Sequence, residues 1–280
     1  MDKKHIILPT ILTFLGCSSC LLLYTHAVTS GHNTYFYLRQ TIWVVISLAA
    51  FFAIRKIPHS RLEKYAPWIA SVGIAILIAV LIGGTKINGM SGWFTFGKLS
   101  LQPSEICKPA FIIWNAWLLN MTHQAKQKTK FVFATLLSLI LWMALIILEP
   151  DLGTGIVYFI TFIGMHYVIG SSPKFILSIL AIGIICAAII IAIHPYAAKR
   201  IRGFFADKES TQQTINWQTQ QMQKCLHNGG WFGMPQDNNS QNTPLPYETN
   251  DSLFAFAAEH MGFFGVVPLV LLPLLWLIFC

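Results

Sequence analysis

Four short segments of this 280-residue chain put ionisable side chains beside or inside stretches apolar enough to face lipid. A charge at mid-bilayer costs about 2.5–3.5 kcal/mol on insertion scales, so such groups pair or line a cavity. The first segment is Gln102-Pro103-Ser104-Glu105-Ile106-Cys107-Lys108. Pro103 suits a first helical turn, and Glu105 can accept from the free amides there. Lys108 lies a turn further in and needs an anion, either Glu105 three residues back or a ligand. The second is Glu149-Pro150-Asp151-Leu152-Gly153-Thr154, two carboxylates where a helix dipole favours them. The third is Lys199, Arg200 and Arg202, followed by Phe204 and Phe205. Guanidinium forks match phosphate oxygens and aromatics suit the membrane interface, the plainer alternative being a solvated charge run. The fourth runs from Leu245-Pro246 through Asp251 to Glu259. Asp251 suits a helix N-cap. Glu259 follows eight residues later, on roughly the same helix face and about 12 Å along the axis, and two acids so placed call for a polar cavity.

The elements that must hold these groups are membrane helices. The chain is 55% hydrophobic and 11% charged, with a mean hydropathy of +0.58, whereas soluble domains carry about 25% charged residues. Apolar runs suited to spanning helices fall near 6–28, 36–54, 67–83, 105–121, 131–148, 153–170, 175–193 and 252–280. A hydrocarbon core needs about 20 such residues. These runs predict an all-α, polytopic transmembrane bundle of about eight spans. The N-terminus resembles a signal peptide, with Lys3 and Lys4 ahead of an apolar stretch, but that stretch continues through Val28 and predicts an uncleaved first helix. With the N-terminus inside, the inner segments hold Lys3, Lys4, Arg55, Lys56, Arg61, Lys64, Lys126, Lys128, Lys130 and Lys174, against Arg39, Lys86 and Lys98 in the short outer loops. That asymmetry predicts a cytoplasmic N-terminus.

Between the seventh and eighth runs lies a polar stretch, 195–250, expected as a large extracytoplasmic loop with a short interfacial helix around 211–226. Loops this long usually carry function. No repeat or soluble domain interrupts the chain, so one transmembrane domain over 1–280 is expected. The net charge of +8 does not indicate nucleic acid, because the basic residues are spread over short loops. Cys17, Cys20, Cys107, Cys186, Cys225 and Cys280 form no framework and read as small hydrophobes. The nine histidines show no ligand spacing, so no protein-held metal is expected.

Taken in order, these segments resemble the SEDS family, the FtsW/RodA/SpoVE proteins that polymerise lipid II into peptidoglycan. The resemblance rests on Asn88-Gly89 and Trp93…Gly97, then Gln102-Pro103-Ser104-Glu105…Lys108, then Pro150-Asp151-Leu152-Gly153-Thr154. It continues with Tyr196…Arg200…Phe204, Gln218, Gln221 and Gly229-Gly230…Gly233, and closes on Leu245-Pro246…Asp251…Phe254-Ala255…Glu259…Gly262…Gly265. It implies ten helices, of which the last two are not found here. It also implies Asp251 as the catalytic residue, with Lys108 and Arg200 serving the substrate pyrophosphate. Glu105, Gln102, Trp93, Asp151, Gln221 and Glu259 are the further candidate substrate-binding residues. The sequence departs from the family where basic residues usually precede the tryptophan, since Ser91-Gly92 stand there, and at Pro235, Tyr247 and Thr249-Asn250.

The reaction so implied needs one base at the attacking sugar hydroxyl and cations at the departing pyrophosphate. A divalent cation, Mg or Mn, could bridge that group. The implied partners are lipid II, a class B penicillin-binding protein and the bilayer, in the bacterial inner membrane, serving cell elongation or division. Two other readings stay open, a flippase for lipid-linked precursors and an inactive scaffold for a transpeptidase.

Overall fold

The computed structural model describes residues 4–29, 35–87, 90–97, 99–124, 128–193, 215–234 and 252–279. Each of the eight apolar runs is a helix: α1 (Lys4–Thr29), α2 (Tyr35–Arg55), α3 (His59–Gly83), α4 (Pro103–Gln124), α5 (Lys128–Leu148), α6 (Leu152–Val168), α7 (Pro173–Ile193) and α9 (Leu253–Phe279). A ninth, α8 (Ile215–Gly229), falls inside the long polar stretch, shifted a few residues from the expected 211–226. Among the described residues, four segments are long and apolar enough to cross a membrane: Tyr35–Arg55, His59–Gly83, Pro173–Ala192 and Leu253–Leu275. Pro9–Thr25, Val132–Leu148 and Leu152–Val168 are shorter apolar helices. Apart from 215–234, the 195–250 stretch lies outside the described residues.

One feature of the fold is absent from the sequence expectation. Between α3 and α4 the chain forms a small antiparallel sheet, β1 (Thr85–Ile87), β2 (Met90–Phe96) and β3 (Leu99–Leu101), in the order β1-β2-β3. Thr85 pairs with Trp93 and Phe94 with Leu101. Gly97, at φ +62°, takes the left-handed conformation that the tight β2–β3 turn demands.

The chain divides into two compact units, Ile57–Ile193 and Met1–Lys56 with His194–Cys280. The first holds α3 to α7 and the sheet. Its core joins Ala70 and Leu77 of α3, Cys107, Ala110 and Phe111 of α4, Leu139, Trp142 and Ile146 of α5, and Tyr158 and Phe162 of α6. Among lipid-facing helices, close packing rather than water exclusion drives association. Gly73 permits it here, since a Cβ there would come 2.8 Å from Trp142. Phe111 then meets Trp142 edge-on at 5.8 Å and Tyr158 at 4.8 Å. Near the far end of α6, His166 is buried between Thr135 and Ser171 and the rings of Phe162 and Phe175.

In the second unit α1 packs on α9 through Leu22, Ala257, Ala258 and Val266. Helix α8 packs on α9 through Cys225, Ala255 and Phe256. Helix α9 is not continuous, because Gly262 (φ 66°, ψ −175°) interrupts it.

Candidate functional site

In the α3–α7 unit the candidate residues gather at one end, where α4 begins and α5 hands over to α6. Helix α4 starts at Pro103, directly after β3, as the fixed φ of proline favours. Gln102 and Asp151, 49 residues apart, meet there: Gln102 Nε2 donates to Asp151 Oδ2 at 2.5 Å. Asp151 Oδ1 accepts from the Thr154 amide at 3.0 Å, so Asp151 is the N-cap of α6. Both of its oxygens are therefore engaged in holding the α4 and α6 starts together. Tyr158 Oη donates to the Ser104 carbonyl at 2.8 Å and ties the same two helices one turn deeper.

Lys108 Nζ lies 2.7 Å from both carboxylate oxygens of Glu105, which also accepts from Thr154 Oγ1 at 3.5 Å. Of the two partners left open for Lys108, the intrachain one is made. The pair is solvent-accessible, with side chains 27% and 51% exposed, so an anionic ligand can approach the ammonium without unpacking the core. Glu105 faces Lys108, although its position in the first turn of α4 had suggested a partner among the helix amides. Trp93 is half-buried on β2, its carbonyl accepting from Thr85 Oγ1 at 3.0 Å.

Glu149, expected beside Asp151 as a second carboxylate favoured by the α6 dipole, is instead fully buried in this unit, and neither carboxylate oxygen has a hydrogen-bond partner among the described residues. Burial, and then the nearby charge of Asp151, push its carboxyl up to about 7. Strand β2 lies directly over it: a Cβ on Gly92 would come 2.6 Å from Glu149 Oε2. The sequence signal was an acid ending an apolar helix two residues before another acid.

The α1/α2/α8/α9 unit is organised differently. Glu259 is buried on α9 and accepts from Asn228 Nδ2 at 3.5 Å, while its carbonyl accepts from the Met234 amide at 2.9 Å. Phe263 N donates to the Gly230 carbonyl at 2.9 Å and Phe264 N to that of Trp231 at 3.2 Å. The break at Gly262 frees those α9 amides for the 229–234 segment. Gln221 is buried on α8 with its Oε1 unpartnered. Asp251 and Arg200 lie outside the described residues, as do Lys199, Arg202 and Pro246. Among the described residues no three His, Cys, Asp or Glu side chains converge as a metal site.

A multi-helix membrane protein with an accessible lysine–glutamate pair at one end of a helical unit is the class these features define. The family model described as cell cycle protein, FtsW/RodA/SpoVE, matches residues 4–280, and the chain belongs to that family. It is therefore a multi-pass protein of the bacterial inner membrane. It is 28% identical over 243 residues, 86% of its length, to a probable peptidoglycan glycosyltransferase FtsW of Pseudoalteromonas translucida. It is 29% identical over 278 residues to the protein of that description from Mycobacterium tuberculosis. The chain spans 61% and 52% of the lengths of these relatives. Among solved structures it is similar to a chain of a peptidoglycan synthase complex (TM-score 0.67, 23% identity, 95% of this chain and 75% of that one). It is also similar to the rod shape determining protein RodA of Thermus thermophilus (TM-score 0.63, 20% identity, 95% and 72%). These likenesses concern the fold.

Proposed function

We propose that this protein is a peptidoglycan glycosyltransferase that polymerises lipid II, a disaccharide-peptide on undecaprenyl pyrophosphate. The carrying observation is the accessible Lys108 ammonium, held 2.7 Å from Glu105 at the end of the α3–α7 unit where the α4 and α6 starts meet. Residues 109–122, 131–148 and 152–165 contain no charged side chain, which suits surface chemistry better than passage of a charged headgroup through the membrane depth. Family membership and the names of the relatives support the same reading.

With the N-terminus cytoplasmic, helix parity puts the start of α4 and the α5–α6 turn on the extracytoplasmic side together. In this reading Asp251 removes the proton from the attacking sugar 4-hydroxyl as the new glycosidic bond forms. The bond from the anomeric carbon to the pyrophosphate oxygen breaks, and Lys108 and Arg200 stabilise the departing charge. Gln102 and Asp151 hold the end of α4 that presents Lys108; Trp93 and Glu105 in that unit, and Gln221 and Glu259 in the other, are the further candidate substrate contacts. A divalent cation would arrive on the pyrophosphate rather than in a protein cage. A class B penicillin-binding protein would cross-link the strands.

The test is polymerisation of labelled lipid II by the purified chain and by Asp251→Asn. The expected result is glycan strands from the wild type and a loss of at least about a hundredfold in the variant. Equal turnover would remove Asp251 from the mechanism, and transbilayer movement of the lipid without polymerisation would favour a flippase.

A further inference from the structure

A buried carboxyl without a hydrogen-bond donor is expensive when ionised and tolerable when it keeps its proton. Glu149 is in that position, closed off by the backbone of Gly92. The groups that face it are those of its neighbours in the α3–α7 unit. Helix α6 contributes Asp151 at its cap and the Tyr158 phenol, and α4 contributes the Cys107 thiol. The α4 carboxylate Glu105 is already matched by Lys108. Strand β2 contributes Gly92 and, among its described side chains, only Trp93, Phe94 and Thr95. None of these neighbours offers Glu149 a positive charge.

We propose that Glu149 is a positioning residue: its neutral carboxyl is the seat on which strand β2 docks through Gly92, and its ionisation loosens the β1–β3 sheet and with it Trp93. The seat needs glycine on top, because any side chain at 92 would occupy the space of Oε2. It also needs a group of glutamate's length beneath, because the contact is made by the far end of the side chain. The docking itself does not depend on the polymerase reading; only the consequence for turnover, through Trp93 in the substrate surface, rests on it.

The pH dependence has a definite sign. Seated, the carboxyl keeps its proton up to about 7; solvated, it releases it from the ordinary value of 4.5. The docking penalty is therefore absent below about 4.5, grows as the pH rises, and is complete above about 7. Between pH 5 and pH 7 the docking equilibrium should weaken by about fortyfold, the slope approaching tenfold per unit only midway between the two values.

The experiment is hydrogen exchange on the full chain in lipid nanodiscs from pH 5 to pH 8, corrected for intrinsic exchange, with labelled lipid II polymerisation measured in parallel. Wild-type amides of 85–101 should lose protection between pH 5 and pH 7 and then level off, while α3 and α5 keep theirs. Glu149→Gln, which has the same shape without a titrating proton, should protect the sheet evenly across the range, and Glu149→Met should likewise show no pH step. Gly92→Ala should expose the sheet even at pH 5. A flat wild-type profile, or the same step in Glu149→Gln, would overturn the proposal. If the exchange results are as expected but no preparation polymerises lipid II, the polymerase reading fails and the docking role of Glu149 stands.

Discussion

The two units hold their polar groups by different means. In the α3–α7 unit, side chains do the joining: Gln102 to Asp151, Asp151 to the α6 amide, Glu105 to Lys108. In the α1/α2/α8/α9 unit, apart from the 3.5 Å Asn228–Glu259 side-chain contact, backbone meets backbone, with the 229–234 segment donating to and accepting from a helix opened at Gly262. The contrast predicts opposite sensitivities. A site joined by side chains can be altered one bond at a time, whereas backbone contact fails as a whole once a Cβ is inserted.

The strongest challenge to that contrast is a side chain at Gly233 or Gly262. A Cβ at 233 would fall on the His260 carbonyl and one at 262 on Gly233 N, and both glycines have positive φ. Gly262→Val should cost about 3 kcal/mol or more, seen as a large fall in the thermal midpoint in detergent. A small fall would mean that the α8–α9 contact gives way easily and that the contrast is overstated. Next comes Lys108→Ala. It should lower lipid II polymerisation by about a hundredfold while changing stability by under about 1 kcal/mol, because the pair is accessible. A variant that loses stability and activity in parallel would make Lys108 a structural residue.

Asp151→Ala should cost about 1–2 kcal/mol by removing the α6 cap and the acceptor for Gln102. Chemical denaturation should show this, with a smaller loss for Asp151→Asn. The smallest effect is a gain: nothing lies within 4 Å of a Cβ at Gly164 on α6, so Gly164→Ala should stabilise by up to about 1 kcal/mol.

Much of the helical layout was legible because each span is a long apolar run whose period and length need no partner to recognise. The Glu105–Lys108 pair was legible for the same local reason, since three residues along a helix place side chains together. The Asp151 cap could be read from its place before Leu152-Gly153-Thr154. The sheet at 85–101 was not recognised, although Asn88-Gly89 is a strong hairpin signal. Its strands are short and the run from Trp93 to Phe96 blends into a hydrophobic background. The break in α9 was hidden as well, because Gly262 sits in an apolar stretch where a helical glycine is equally ordinary.

The sequence by itself determined that this is a helical membrane protein of the FtsW/RodA/SpoVE type, and which acids and bases are candidates for its chemistry. Those properties follow from composition, local spacing and motif order, all written along one dimension. Only the tertiary structure decided that Gln102 reaches Asp151, that Glu149 is sealed beneath Gly92, and that Gly262 opens a helix for the 229–234 segment. Each of these depends on the close approach of residues dozens of positions apart. Such proximity is set by how whole helices pack, and burial, not residue type, is what turned an ordinary glutamate into a proton-holding seat.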